Sequence, residues 1–386
     1  MTGGSITRFR NSAMPQFFLM ELKSDFGGQH QRFARAFALL REAIASNAFP
    51  GCSLAVVHRG KLVASTGLGR FTYDPQSPEV TAGAIFDLAS LTKIVATTSM
   101  AMILYERGLL DLDLPLESVV REFEAPDPRR QDVTIRTLLA HTSGLPGYVR
   151  LFEQARTRDE LILAACRTPL EAAPGERTED SDIGFIVLGE ALARLADEPL
   201  DTFCRHEVFG PLGMASTCFN PPPAQRPLIP PTEDDRAFRH RIIQGEVHDE
   251  NAGAMAGVAG HAGLFSSAPD LVHFAYAILR GLSRPGAKSI VHPETLRTFA
   301  RPQAAQSGNP RALGFDLPSA PSQSGSHFSP GSLGHLGFTG TSLWLDPERA
   351  LAIVLLTNRT WPGRASQEIK RVRPRVHDAI VEALNW

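Results

Sequence analysis

The strand signals of this chain sit at its two ends, and that spacing most constrains the fold. Ser53-Leu-Ala-Val-Val-His58 and Leu62-Val-Ala-Ser-Thr66 flank Arg59-Gly60-Lys61, a β-hairpin pattern. The next sheet signals come only at Gly334 to Gly340, Thr341 to Leu345 and Leu351-Ala-Ile-Val-Leu-Leu356. A lone hairpin is marginally stable in water, so the two ends are expected to join in one sheet. What lies between must then leave that sheet and return to it.

The intervening residues read as helical. Phe33, Phe37, Leu40 and Ile44 recur at helical spacing, which predicts an amphipathic helix over roughly residues 30–47, broken by Pro50-Gly51. A second helix is predicted from Ser90 to Arg107, with Gly108 as its C-terminal stop. Residues 110–285 are rich in Leu, Ala, Pro and Gly, with helical runs at 158–166, 183–196 and 270–281 and no clear β alternation. A last helix carries Val376, Ile380, Val381 and Leu384 inward, and the Ser-, Pro- and Gly-rich segment 302–333 reads as a loop. The expected fold class is α/β plus all-α, an antiparallel sheet flanked by helices with an inserted helical domain. The expected organisation is a flexible leader over residues 1–28, a sheet domain from 29–86 and 287–386, and a mainly helical domain over 87–286.

Composition narrows the partners. The net charge of -2, with no basic run or acidic tail, argues against nucleic acid and fits a small-molecule substrate. No stretch approaches the ~20 apolar residues of a membrane span. Phe17-Phe18-Leu19-Met20 is too short for a secretory signal, so a cytoplasmic location is expected. Cys52, Cys166, Cys204 and Cys218 form no C-x-x-C pair and suggest neither zinc nor a disulfide framework. Oligomeric state is not readable from the sequence.

One constellation carries chemistry. Ser90-Leu91-Thr92-Lys93 sets a hydroxyl and an ammonium three residues apart at a helix start, on one side of it. A serine hydroxyl attacks well only when a nearby base takes its proton, and lysine can be that base if burial lowers its pKa. The helix start adds N–H groups that favour an oxyanion at Ser90. The chain holds five lysines against 34 arginines and 26 serines, so about 0.3 S-x-x-K matches are expected by chance and one occurs.

Further segments give that match a context. Asp87-Leu-Ala-Ser-Leu-Thr-Lys93 resembles the nucleophile segment of the β-lactamase, penicillin-binding protein and esterase superfamily. Thr134 to Pro146 is similar to its LLxHxSGLP segment, Pro174-Gly175 with Ser181 to Phe185 to its second motif, and Gly260 to Ser266 to its glycine turn. Gly334-His-Leu-Gly-Phe-Thr-Gly-Thr-Ser-Leu-Trp-Leu-Asp-Pro347 resembles the third-motif strand of the esterase- and carboxypeptidase-like branch. The resemblance covers roughly residues 30–385. It implies an acyl-enzyme at Ser90, with Lys93 as proton acceptor and the N–H groups of Ser90 and Phe338 as oxyanion hole. It also implies that His335 donates to a substrate carboxylate or carbonyl, and that Gly337 lets the substrate backbone approach closely.

The second motif departs from the pattern. Its tyrosine position is filled by Asp180, while Asp182 matches the family's Asn/Asp beside the lysine. A carboxylate at Asp180 would hold Lys93 protonated. Asp180 is then a base of altered geometry, or Tyr148 reaches in, or the site is impaired. His248 and Asn251, within His248-Asp249-Glu250-Asn251, are expected to line the cleft rather than to bind metal, and no cofactor is expected. The resemblance implies a carboxylesterase acting on small esters. The alternatives are a D-alanyl-D-alanine carboxypeptidase, a weak β-lactamase, or a catalytically impaired protein that binds ligand through the same cleft.

Overall fold

A computed structural model describes residues 22–283, 286, 289–303 and 305–384. The two ends do form one sheet. Its order runs Lys23–Ser24, Lys61–Gly69, Gly51–His58, Leu351–Thr357, Ser342–Asp346, Leu333–Leu336. The central contact joins residues nearly 300 apart in sequence, with Leu351 opposite His58 and Thr357 opposite Cys52. All pairings are antiparallel except the edge one, where Lys23 and Ser24 run parallel to Lys61 and Leu62. Lys23 to Asp25 of the expected leader are thus docked on the sheet edge, where Asp25 N donates to Leu62 O and Lys61 reaches the Asp25 carboxylate at 3.1 Å. The rest of that leader lies outside the described residues.

The hairpin turns tightly because Arg59 and Gly60 both take positive φ, 49° and 78°. Strands Gly51–His58 and Leu351–Thr357 are buried on both faces, which is why they read as unbroken apolar runs rather than alternating ones. One face is covered by the helices Ala34–Ala45 and Ile369–Ala383, where Phe33, Phe37, Leu40, Val376 and Ile380 pack. The other is covered by helix Ala268–Ser283, a segment that the sequence alone places in the inserted helical block. A continuous core joins that face to the helices Arg158–Arg167 and Asp182–Ala196.

Two local expectations change. The predicted helix from Ser90 begins as a wide turn: Lys93–Thr98 is π-helical, and only Ser99–Glu106 is α-helical before Gly108 at φ 69°. The middle block also holds strands, since Ile85–Asp87, Leu264–Ser267 and Cys218–Phe219 form a small antiparallel sheet. These strands are two to four residues long, too short to show alternation.

Candidate active site

The turn bearing Ser90 is pinned from several sides. Asp87 is buried at the end of its strand and spends both carboxylate oxygens on backbone, accepting from Ala89 N at 2.8 Å and from His248 N at 2.7 Å. Burial pushes its pKa above the usual carboxylate range, against those two bonds. Thr339 and Thr341 donate to the carbonyls of Asp87 and Leu88. Ala89 takes φ 48°, a conformation that costs a non-glycine residue about 1–3 kcal/mol, and it turns the chain so that Ser90 faces the cavity. The π turn that follows is supported by Thr98 and Ser99, whose hydroxyls donate to the carbonyls of Lys93 and Ile94 five residues back. Single π turns in helices are frequent at functional sites.

Lys93 is 1 % exposed, and three oxygens surround its Nζ. Asp182 Oδ1 is at 2.7 Å, Asp180 Oδ1 at 2.8 Å and Ser90 Oγ at 3.3 Å. Burial alone would lower the pKa of this ammonium. The two carboxylates outweigh it and hold the pKa above the ordinary lysine value. The Phe185 ring adds a face 5.7 Å away.

Asp180 is half exposed and shared. Its second oxygen lies 3.4 Å from Arg311, which also pairs with Asp316. Burial on its inner side opposes the charge, but Lys93 and Arg311 hold this carboxyl well below its usual range. His141 lies behind it, its Nδ1 3.6 Å from Asp180 Oδ1. Burial pushes the imidazoles of His141 and His335 below the ordinary histidine value, which favours their neutral forms.

The third-motif strand ends at Leu336, and its turn closes the oxyanion side. A Cβ at Gly337 would overlap Thr341 Oγ1 and Leu88 O. Glycine is therefore required for this turn to pack on the nucleophile segment. Arg373 donates to Gly337 O at 2.8 Å and Thr341 O at 2.7 Å, and Arg359 donates to Phe338 O at 2.6 Å. A trans peptide points its N–H opposite to its C=O, so holding Gly337 O toward Arg373 turns the Phe338 N–H the other way. Among the described residues, the N–H groups of Ser90 and Phe338 donate to no other backbone or side-chain group.

These parts line one cavity of about 680 Å³, with Ser90, Lys93, Asp180 and Asp182 in its floor. Tyr148 and Phe338, 44 % and 48 % exposed, stand at its sides. Tyr148 lies 3.5 Å from Glu250, and burial followed by the nearby acids raises its phenol pKa far above the usual value. His248 also lines the cavity, but its Nε2 meets Glu233 at 2.9 Å, and Glu233 in turn pairs with Arg364. His261 meets Asp249 at 2.8 Å; burial lowers its pKa, and the carboxylate more than restores it.

Two expected binding residues are placed elsewhere. His335 is fully buried and does not line the cavity; its Nδ1 meets the backbone of Leu336, and its Nε2 has no partner. Asn251 is fully buried too: it accepts from Phe152 N at 3.0 Å and donates to Val149 O at 2.8 Å, bracing the loop that carries Tyr148.

Ligand atoms of His141, Asp180 and His335 lie within 4.8 Å of one another, the spacing of a potential metal set. Their bonds do not fit that use. His141 Nδ1 accepts from Ser181 N at 2.9 Å, which leaves the proton on Nε2, and both Asp180 oxygens already face cations. Arg311, Arg359, Arg364, Arg373 and Glu233 were not foreseen from sequence. None lies in a recognised motif: Glu233 is in the short strand Glu233–Asp235, Arg373 is on the C-terminal helix and the others are in loops, and arginine is too common here for any one to stand out.

Fold and site together define a serine hydrolase of the β-lactamase/transpeptidase-like architecture. The chain belongs to the beta-lactamase family, whose profile matches residues 36–376. Among curated proteins it is 31% identical to an N-acetylmuramyl-L-alanine amidase of Bacillus subtilis over 345 residues, 81% of this chain and 77% of that one. It is 28% identical over 347 residues to a putative D-alanyl-D-alanine carboxypeptidase of Escherichia coli K12, 81% of this chain and 79% of that one. Among solved structures, EstCE1, a hydrolase with promiscuous acyltransferase activity, superposes with a TM-score of 0.74 at 22% identity, covering 91% of this chain and 99% of that one. A penicillin-binding protein homologue from Caulobacter crescentus gives 0.72 at 18%, covering 91% and 97%. At those identities the structural likenesses speak to the fold alone. Among the described residues, no helix is long and apolar enough to cross a membrane.

Proposed function

We propose that the chain hydrolyses small esters through an acyl-enzyme at Ser90, as a carboxylesterase. The observation that carries this reading is the position of Ser90 Oγ, 3.3 Å from a buried Lys93 Nζ, beside two unengaged N–H groups on the cavity wall. Ser90 Oγ attacks the carbonyl carbon, and the N–H groups of Ser90 and Phe338 receive the oxyanion. Lys93 starts charged, so it takes the serine proton only while passing one of its own to Asp180, 2.8 Å away. Asp180 at the tyrosine position is then the terminal acceptor, and returns the proton to the leaving oxygen along the same path. Water repeats the cycle on the acyl-enzyme and regenerates Ser90.

The names of the two curated relatives favour a second reading within the same mechanism, cleavage of an amide such as a D-alanyl-D-alanine bond. A reading of another class, a ligand-binding protein without turnover, follows from the charged state of Lys93. The experiment is labelling with a fluorophosphonate read by intact mass, followed by turnover of short-chain p-nitrophenyl esters and D-Ala-D-Ala peptides. An adduct that disappears in Ser90→Ala supports the enzyme, and its absence in the wild type overturns it. Ester turnover without peptide turnover supports the esterase, and the converse supports the amide reading.

A further inference from the structure

Positive charge gathers in a second groove, of about 420 Å³, separate from the acyl-transfer cavity. Gly253 and Ala254 line it, while His248, Asp249 and Glu250 of the same segment line the first. Four arginines face this groove. Arg156 comes from the turn before helix Arg158–Arg167, and Arg226 from the loop ahead of strand Glu233–Asp235. Arg239 and Arg241 come from the hairpin that this strand makes with Arg241–Ile243. Among the described lining residues, Glu246 is the one carboxylate.

Glu246 is spent mainly on one of the four. Arg241 takes both its oxygens, at 2.8 and 2.7 Å, and Arg226 stands 3.7 Å away. The bond from Arg241 holds the Glu246 carboxyl below its usual range, and the charges of Arg226 and Arg239 act in the same direction. Three guanidinium groups thus converge on a single anion. Arg239 gives its own bonds to the carbonyls of His248 and Asp249 and lies against Gly253, where a Cβ would stand 2.5 Å from its Nη2. Among the described residues, neither Arg239 nor Arg156 has a carboxylate within ion-pair distance, and Arg156 is exposed. Charges of one sign set around a concavity focus their field inside it. This groove therefore attracts an anion that the fold does not itself supply.

The groove is larger than an inorganic ion needs, and its lining is partly apolar. Phe152 and Phe238 meet edge to face with centroids 4.5 Å apart, and the Phe238 ring is 37 % exposed. Val247, Ala254 and Ala256 extend that surface. A ligand that fits both features joins a compact anion to a ring that can lie on an aromatic face. A phosphate monoester carries a charge of about −1.5 to −2 near neutral pH and three acceptor oxygens, so it can engage several arginine forks at once where a single carboxylate engages one.

We propose that this groove binds a soluble phosphate ester of a small ring, of the sugar phosphate class, with its phosphate among Arg156, Arg226 and Arg239 and its ring against Phe238. The site stands apart from Ser90 and does not depend on acyl transfer there.

Isothermal titration calorimetry of the whole protein with glucose 6-phosphate tests it, with inorganic phosphate, glucose and citrate compared at matched ionic strength. Glucose 6-phosphate is expected to bind saturably and several-fold tighter than inorganic phosphate, and glucose not to bind. In the Arg156→Gln/Arg226→Gln double variant the affinity is expected to fall about tenfold or more, since bonds to charged groups are lost. Arg156→Glu alone is expected to weaken binding with an unchanged Tm, because that side chain is exposed and holds no ion pair. Equal affinity in wild type and both variants places the ligand elsewhere and overturns the site. Citrate binding as tightly as glucose 6-phosphate overturns the phosphate class. No saturable binding of glucose 6-phosphate overturns the proposal, and retention on phosphatidylglycerol vesicles in that case assigns the arginines to a lipid surface instead.

Discussion

Lys93 Nζ lies 2.8 Å from Asp180 Oδ1 and 3.3 Å from Ser90 Oγ, so the lysine beside the proposed nucleophile is bound first to a carboxylate. If Asp180 is the final proton acceptor, Asp180→Asn keeps the shape and removes the acceptor. The expected loss in kcat/KM on p-nitrophenyl butyrate is about a hundredfold or more, the usual weight of a general acid–base group. Asp180→Tyr puts the family's usual residue where Arg311 and Lys93 already converge, and is expected to lower the rate as well. A large rise in Asp180→Tyr would mean that the native site is crippled, and the reading of Asp180 as acceptor would be abandoned.

The same arrangement sets a pH profile. Lys93 and Arg311 depress Asp180, so the carboxylate is ionised above its lowered pKa and is lost as an acceptor only when pH falls through it. Lys93 is raised, so it stays charged through the neutral and mildly alkaline range. The kcat/KM profile is therefore expected to be flat from about pH 5 to 9, falling only below about pH 4, beneath the ordinary carboxylate value. Stability across the range is checked by thermal denaturation. A limb between pH 6 and 7 would transfer the acceptor role to a histidine, with His261 the first to test because it lines the cavity and its pKa is raised.

Gly337 tests how rigidly the oxyanion wall is built. Its Cβ would overlap Leu88 O and Thr341 Oγ1, both attached to the nucleophile turn or its clamp. Gly337→Ala must push that turn and the Phe338 N–H apart. Overpacking of this kind costs about 1–3 kcal/mol. The expected result is a lower Tm together with a fall in kcat, because the oxyanion contact is made chiefly in the transition state. A variant with unchanged kcat would show that Phe338 N–H is not part of the oxyanion hole.

Asn251 has a separate role. Its amide braces Val149 and Phe152 from inside, and that loop presents Tyr148 to the cavity. Asn251→Ala leaves a backbone N–H and a carbonyl unpaired in a buried place, at a cost of about 1–3 kcal/mol. The expected signature is a lower Tm and a raised KM, with fluorophosphonate still labelling Ser90. Loss of labelling would mean that the loop supports the nucleophile itself.

What could be read from sequence follows from how local each signal is. The hairpin, the long helices and the late strands announce themselves within a few residues, because period and turn chemistry are local. Ser90 and Lys93 were also readable, since a three-residue spacing and a helix start place them together, and Asp182 was readable through its segment's resemblance to the family's second motif. Arg311 and Arg373 were not. Arg311 approaches Asp180 from a loop 131 residues away, and Arg373 reaches Gly337 from a helix 36 residues on. His335 shows the opposite failure. Its motif position was plain, but which way its ring turned depended on packing between the strand and His141, which no spacing reports.

Glu233 carries the last expectation. It lies beside the cavity, accepting from His248 and Arg364, and although burial opposes its charge those partners lower its pKa to about 2 from an ordinary 4.5. A depressed carboxyl stabilises the fold at pH above its unfolded value, and that stabilisation is lost as pH falls through the folded one. Part of the acid lability of this protein is therefore expected to appear between about pH 4.5 and 2. In Glu233→Gln the Tm at neutral pH is expected to drop, because Arg364 and His248 lose their shared anion. Its Tm is also expected to decline less steeply with acidification across the same window, since the titrating group is gone. A Glu233→Gln variant that lost stability on acidification as steeply as the wild type would place the acid-sensitive contact elsewhere, with the Asp249–His261 pair the next to test.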